Sequence, residues 1–234
     1  MNKISVCLAS YNGEKFILRQ LNSILSQLTD ADELIISDDL STDNTRVIVE
    51  NLQDYRIKFI SNPGPRGPVG NFQNALSYAT GYFIFLSDQD DIWLPTKVID
   101  TITLLTKYDL VLSDCTVVNE NLDIIYESFF EFRKSQPGIL KNVYKNAYMG
   151  CCMAFRHSVL SYTLPIPQSI HMHDWWIGLL AEIKGNVYFY KKPLILYVRH
   201  GNNASPTGEG DLGWKIKVKN RIELIFKVIQ RLLR

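Results

Sequence analysis

Cysteine is sparse in this sequence: 234 residues hold four, Cys7, Cys115, Cys151 and Cys152, with no C-x-x-C pair, and Cys7 sits inside an apolar run. A zinc site or a disulfide framework is therefore a poor fit, and a reducing compartment suits the chain better. No uninterrupted apolar run approaches the ~18 residues that span a bilayer. The opening Met1-Asn2-Lys3-Ile4-Ser5-Val6 lacks the apolar core and small-residue cleavage site of a signal peptide, so the expectation is a cytoplasmic protein. Net charge is also nearly absent, 25 Lys+Arg against 24 Asp+Glu giving +1, and this balance offers nucleic acid no electrostatic footing. Phosphate loops are missing where they would be expected. No G-x-x-x-x-G-K-[ST] run occurs, and the loop after the first apolar run holds a single glycine, Gly13. A P-loop enzyme and a dinucleotide dehydrogenase are both poor fits.

The chain is otherwise of ordinary globular make-up, 46% hydrophobic and 21% charged, and of a length that one domain can hold. Its charge is uneven. Residues 214–234 carry seven basic side chains against Glu223 alone, which leaves 18 basic and 23 acidic residues in 1–213. Apolar runs at 4–9, 33–37, 57–60 and 82–86 predict strands, separated by helical spacing over 14–28, 42–52 and 71–79. Residues 62–70 hold three prolines and three glycines and predict a constrained loop. This strand–helix alternation is the pattern of a mostly parallel α/β sheet. Further on, the pattern predicts a helix over 92–106, a strand at 110–113, a hairpin within 117–125 and loop or short helix at 126–146. Strands at 149–155 and 187–190 flank a helix at 174–183. The division expected is a catalytic domain over 1–201, in halves 1–113 and 114–201, a linker at 202–213 and a tail helix at 214–234.

In open α/β sheets ligands gather beyond the carboxyl ends of the strands. Three polar clusters fall at such ends: Ser10-Tyr11-Asn12, Asp38-Asp39 and Ser87-Asp88-Gln89-Asp90-Asp91. Three carboxylates within four residues repel one another unless a cation stands beside them. Hard oxygen ligands with few histidines suit Mg²⁺ or Mn²⁺, which bridge to diphosphate oxygens. A solvated acidic loop is the alternative. For Asp38-Asp39 the alternative is an N-cap, although Ser41 or Asp43 can also serve there. His171 and His173 do not share a helix face and do not read as a metal pair.

These pieces together resemble the family 2 glycosyltransferases, which have the GT-A fold. The resemblance rests on Ser5-Val6-Cys7-Leu8-Ala9-Ser10-Tyr11-Asn12-Gly13, on Asp38-Asp39-Leu40-Ser41-Thr42-Asp43-Asn44-Thr45, on Asn71-Phe72-Gln73-Asn74-Ala75-Leu76 and on Gly81 through the D-x-D of Asp88-Gln89-Asp90. His173-Asp174-Trp175-Trp176 and Arg199-His200-Gly201-Asn202-Asn203 are similar to motifs of its rhamnosyltransferase-like members. The resemblance implies that Asp39 faces the nucleobase, with Ser10, Asn12 and Asn71 on the donor side. It implies that Asp88 meets the ribose, that Asp90 binds the metal and that His200 joins it. Asp174 would be the catalytic base, and Trp175 and Trp176 are candidates to stack on a sugar at the acceptor side. Two departures stand out: Leu40 replaces a common glycine, and Asn74 a common arginine.

The function so implied is inverting, metal-dependent transfer of a sugar, rhamnose from dTDP-rhamnose in the first instance or a UDP-linked sugar, to an acceptor hydroxyl. A lipid-linked glycan of bacterial surface polysaccharide is the expected acceptor. Two other classes are weighed beside it: a sugar-nucleotide nucleotidyltransferase, which would carry a basic Gly-rich N-terminal loop, and a non-catalytic nucleotide-sugar-binding module. In the tail, Trp214, Val218, Ile222, Ile225, Ile229 and Leu232 recur at spacings of three or four among basic residues. That is a basic amphipathic helix, suited to peripheral contact with the inner face of the cell membrane or to docking on the catalytic body or in a homodimer.

Overall fold

The structure is a computed structural model that describes residues 3–201 and 213–233. The expected linker, apart from residue 213, lies outside the described residues, as do Asn202 and Asn203. In chain order the elements are β1 (Ile4–Ser10), α1 (Ile17–Leu25), β2 (Glu33–Asp38), α2 (Thr45–Asn51), β3 (Ile57–Ser61), α3 (Pro68–Ser77) and β4 (Phe83–Asp88). There follow β5 (Ile92–Trp93), α4 (Lys97–Leu105), β6 (Leu110–Asn119), β7 (Ile124–Tyr126), α5 (Phe129–Arg133) and α6 (Ile139–Tyr144). The last are β8 (Met153–Arg156), α7 (Leu160–Thr163), α8 (His173–Lys184), β9 (Val187–Arg199) and α9 (Trp214–Leu232).

The strands form one sheet in the order β3-β2-β1-β4-β8-β6-β9-β5, with β7 paired to β6. The long ladders are parallel: β1 with β2 and β4, β2 with β3, and β6 with β9. Shorter antiparallel ladders join β8 to β4 and β6 and close β5 on β9. The central strands are apolar because helices cover both faces. Val6, Leu8, Ile35, Ile36, Ile84, Phe85 and Leu86 are all fully buried. On α1 the spacing of Ile17, Leu21 and Ile24 gives one stripe, and all three are buried against the sheet. Helix α3 starts at Pro68, inside the stretch expected to be loop, because proline's fixed φ and missing N–H suit a first helical position.

Register places the site. Ser10 lies opposite Asp38, and Ala9 opposite Asp88, so the three polar clusters end at one edge of the sheet. Three expectations change. The helix expected over 92–106 begins only at Lys97, because Pro95 breaks it and Ile92–Trp93 pairs with Ile195 and Leu196 instead. The strand expected from 149 begins at Met153, after a 3₁₀ turn over Gly150–Cys152. The strand read at 187–190 runs on to Arg199. The division between residues 113 and 114 falls inside β6, so the two halves share one sheet.

Candidate active site

A cavity of about 260 Å³ opens at that sheet edge. Ser10, Asp39, Gly67 and Asn71 line it together with Asp88, Gln89 and Asp90 and with Gly150, His173, Asp174 and Tyr197.

At the ends of β1 and β2 the two adjacent aspartates divide their work. Asp38 accepts from the Ser10 and Ser41 hydroxyls and from the Ser41 N–H, so it fastens β1 to the turn after β2. Asp39 accepts from the Asn62 amide at 2.9 Å and the Gly67 N–H at 2.7 Å and borders the cavity. Asn71 donates to the Ser10 carbonyl at 3.0 Å, while its own Oδ1 is buried with no hydrogen-bond partner among the described residues. Asn12 is placed differently from expectation. It is exposed, its side chain accepts from Thr42 N–H at 2.9 Å, and it does not border the cavity. Its φ of 46° shows it holding the turn, a role to which asparagine is suited. Leu40 carries a φ of 62°, the backbone state that a glycine there would adopt freely. Asn74 donates to Ser37 Oγ at 2.8 Å and so braces β2.

The acidic loop is tied to the first loop by Gln89, whose amide both accepts from and donates to the backbone of Tyr11 at 2.9 Å. Burial, then the charges of Asp90 and Asp174, hold the Asp88 carboxyl well above the usual carboxylate range. Asp91 is raised for the same reason, by burial and then Asp90 and Asp88. Asp91 accepts from the Val198 N–H at 3.2 Å, and its other oxygen has no hydrogen-bond partner among the described residues. Ligand atoms of Asp88, Asp91 and Cys151 lie within 4.8 Å of one another. Asp90 Oδ2 stands 2.7 Å from His200 Nε2, and the imidazole stacks on Phe16 at 4.5 Å between ring centres. Crowded carboxyls that resist ionisation, an orphaned buried oxygen and an imidazole beside them are a donor set that a divalent cation fits.

Asp174, also at the cavity, lies in the first turn of α8 and is buried. It accepts from its neighbour Trp175 N–H at 2.6 Å and from Gly150 N–H at 3.2 Å. Burial nevertheless pushes its pKa up to about 7, where a carboxylate works best as a general base. The tryptophans after it do not face the cavity, contrary to expectation. Trp175 donates to the Asn142 carbonyl and Trp176 to that of Thr163, both at 2.8 Å, and both indoles are buried. Their outer faces carry the guanidiniums of Arg221 at 5.6 Å and Arg231 at 5.1 Å, so they anchor α9. His173, Gln89, Gly150 and Tyr197 border the cavity without having been read as site residues. His173 and Gln89 sit inside quoted motifs, which was the available signal; Gly150 and Tyr197 left none.

Helix α9 buries Leu224 and Val228. The stripe read from the sequence, Trp214, Val218, Ile222, Ile225, Ile229 and Leu232, stays exposed. No helix among the described residues is long and apolar enough to cross a membrane.

The sequence profile described as glycosyl transferase family 2 matches residues 5–163. An Escherichia coli UDP-Glc:alpha-D-GlcNAc-diphosphoundecaprenol beta-1,3-glucosyltransferase is 32% identical over 76% of this chain and 70% of its own length. A Shigella flexneri dTDP-rhamnosyl transferase is 31% identical over 84% of this chain and 72% of its own. Among solved structures, glucosyl-3-phosphoglycerate synthase from Mycobacterium tuberculosis, in complex with Mn²⁺, uridine diphosphate and phosphoglyceric acid, superposes with a TM-score of 0.63 at 18% identity over 98% of this chain and 78% of that one. With its GT-A arrangement of strands and more than half its length matched by that profile, the chain belongs to glycosyl transferase family 2.

Proposed function

We propose that this chain transfers a sugar from a nucleoside diphosphate to an acceptor hydroxyl by a single inverting displacement. The observation that carries the reading is that Asp174, its pKa pushed up to about 7, lines the same cavity as Asp88 and Asp90. Asp174 would take the proton of the acceptor hydroxyl as that oxygen attacks the anomeric carbon. Asp39 and Ser10 would hold the base, with the orphaned Asn71 Oδ1 as a further acceptor, and Asp88 would meet the ribose. Asp90 and His200 would hold Mg²⁺ or Mn²⁺, which when bound supplies charge compensation for the leaving diphosphate. The donor we propose is dTDP-rhamnose, on the likeness of residues 173–176 and 199–203 to rhamnosyltransferase-like motifs and on the Shigella relative's name. UDP-glucose, named for the Escherichia coli relative, is the second donor to test.

The acceptor we propose is a lipid-linked glycan, in line with the diphosphoundecaprenol substrate named for the Escherichia coli relative. Peripheral membrane contact fits the outer face of α9, where Trp214, Val218, Ile222 and Phe226 stand exposed beside Lys215, Lys219 and Lys227. The test is product analysis with each donor and a polyprenyl-diphosphate-linked sugar. The expected products are nucleoside diphosphate and an extended lipid with inverted anomeric configuration, and none from Asp174→Asn, which still binds donor. Pyrophosphate released from a nucleoside triphosphate would instead assign a nucleotidyltransferase.

A further inference from the structure

His173 opens α8, one residue ahead of Asp174, and is 4% exposed. Its ring borders the cavity and stacks on Phe72 at 4.0 Å and 25°. Neither ring nitrogen has a hydrogen-bond partner among the described residues, and both are turned away from solvent. Two orphaned nitrogens on one buried side chain are unusual in a folded protein. Packing alone would be served better by a phenylalanine on Phe72. Burial lowers the imidazole pKa to about 3, so the ring is neutral at working pH. A neutral imidazole offers one donor and one acceptor, and a sugar hydroxyl complements either. The backbone facing the ring has been thinned: a Cβ on Gly150 would lie 2.8 Å from His173 Nε2. A half-turn about the Cβ–Cγ bond preserves the stack on Phe72 and exchanges Nδ1 with Cδ2 and Nε2 with Cε1, so either edge of the ring can present a nitrogen.

We propose that His173 is a specificity-determining residue whose imidazole binds a hydroxyl of the reacting sugars beside the Asp174 carboxylate. The inference rests on the glycosyl-transfer reading above. A site built to bond a hydroxyl discriminates strongly against an analogue that lacks it, because its own polar group is then left unpaired. His173→Phe keeps the aromatic stack and removes both nitrogens; His173→Asn and His173→Gln each restore one polar position. Transfer is measured with UDP-glucose and dTDP-rhamnose, with monodeoxy analogues of the productive donor and with monodeoxy acceptors, and nucleoside diphosphate affinity is measured on every variant.

The expected result is a ten- to hundredfold loss of kcat/KM in His173→Phe, partial recovery in one amide variant and unchanged nucleoside diphosphate affinity. Wild-type protein should reject one deoxy compound that His173→Phe no longer distinguishes from its parent. A deoxy donor in that position assigns the bond to the transferred sugar, and a deoxy acceptor assigns it to the acceptor. Wild-type discrimination retained by His173→Phe overturns the inference alone. So does a parallel loss of nucleotide affinity and melting temperature, which marks His173 as packing. Wild-type protein that binds no nucleoside diphosphate overturns the glycosyl-transfer reading and this inference together.

Discussion

Asp174 has left water and received peptide N–H donors, those of Trp175 and Gly150 among them, in exchange. Its pKa of about 7 means that the folded chain holds this proton more tightly than the unfolded chain does. The stability tied to that proton is present at acid pH and is lost as pH rises from the ordinary carboxylate range through 7. Asp174→Asn should therefore melt above wild type at pH 8 and level with it near pH 4, about 2–4 °C for each kcal/mol of relieved desolvation. Wild-type kcat/KM should rise with pH through about 7 as the base loses its proton, a limb that a pH–rate profile reads directly. Leu40 offers a second test. Its φ of 62° costs about 1–2 kcal/mol, and its side chain is 44% exposed, so little burial repays it. Leu40→Gly should raise the melting temperature by a few degrees, less what glycine adds to the freedom of the unfolded chain. Here the sequence was informative, since Leu40 stood out as a departure and the backbone kept the geometry of the residue it replaced. His173 is weighed in the sequence only as a metal partner of His171, because an orphaned nitrogen is a fact of packing that no spacing reveals.

Helix α9 shows how an element can be legible in kind while the face that docks is not. Spacings of three and four identify an amphipathic helix, but its exposed stripe satisfies the same spacing as the face that docks. What selects the docked face is long-range. Arg231 donates to the carbonyls of Tyr162, Leu164 and Pro165 and lies over Trp176, while Arg221 reaches Tyr144 and lies over Trp175. Arg231→Ala should cost about 1–3 kcal/mol, since three carbonyls lose a charged donor, and is read by denaturant unfolding. Replacing Trp214, Ile222 and Phe226 together by serine should leave stability within about 1 kcal/mol of wild type and remove binding to anionic vesicles in a flotation assay. Strand β9 was cut short for a different reason. Lys191 and Lys192 are exposed where its register against β6 slips between Ser113 and Asp114, so one strand reads as two apolar segments.

Across the whole molecule, the parallel register brings residues from distant parts of the chain to one edge, and that gathering was readable from three polar clusters at three strand ends. The second half was less readable because its short strands and turns depend on partners far away in sequence. The acidic floor couples this architecture to solution conditions. Burial and the neighbouring carboxylates raise the pKa of Asp88 and Asp91, and a divalent cation held beside them by Asp90 and His200 would favour their ionised forms, so Mn²⁺ affinity should increase with pH and calorimetry should record proton release. Nucleoside diphosphate and Mn²⁺ together should raise the melting temperature more than the sum of either alone, as linkage requires for ligands that complete each other's site. The helix–strand unit formed by α8 and β9 begins next to Asp174 and ends at the imidazole beside Asp90. With Asp174 and His200 in their proposed roles, grafting residues 173–200 into a relative would carry proton acceptor and cation ligand across as one cassette and leave the choice of nucleotide to the host's own N-terminal half.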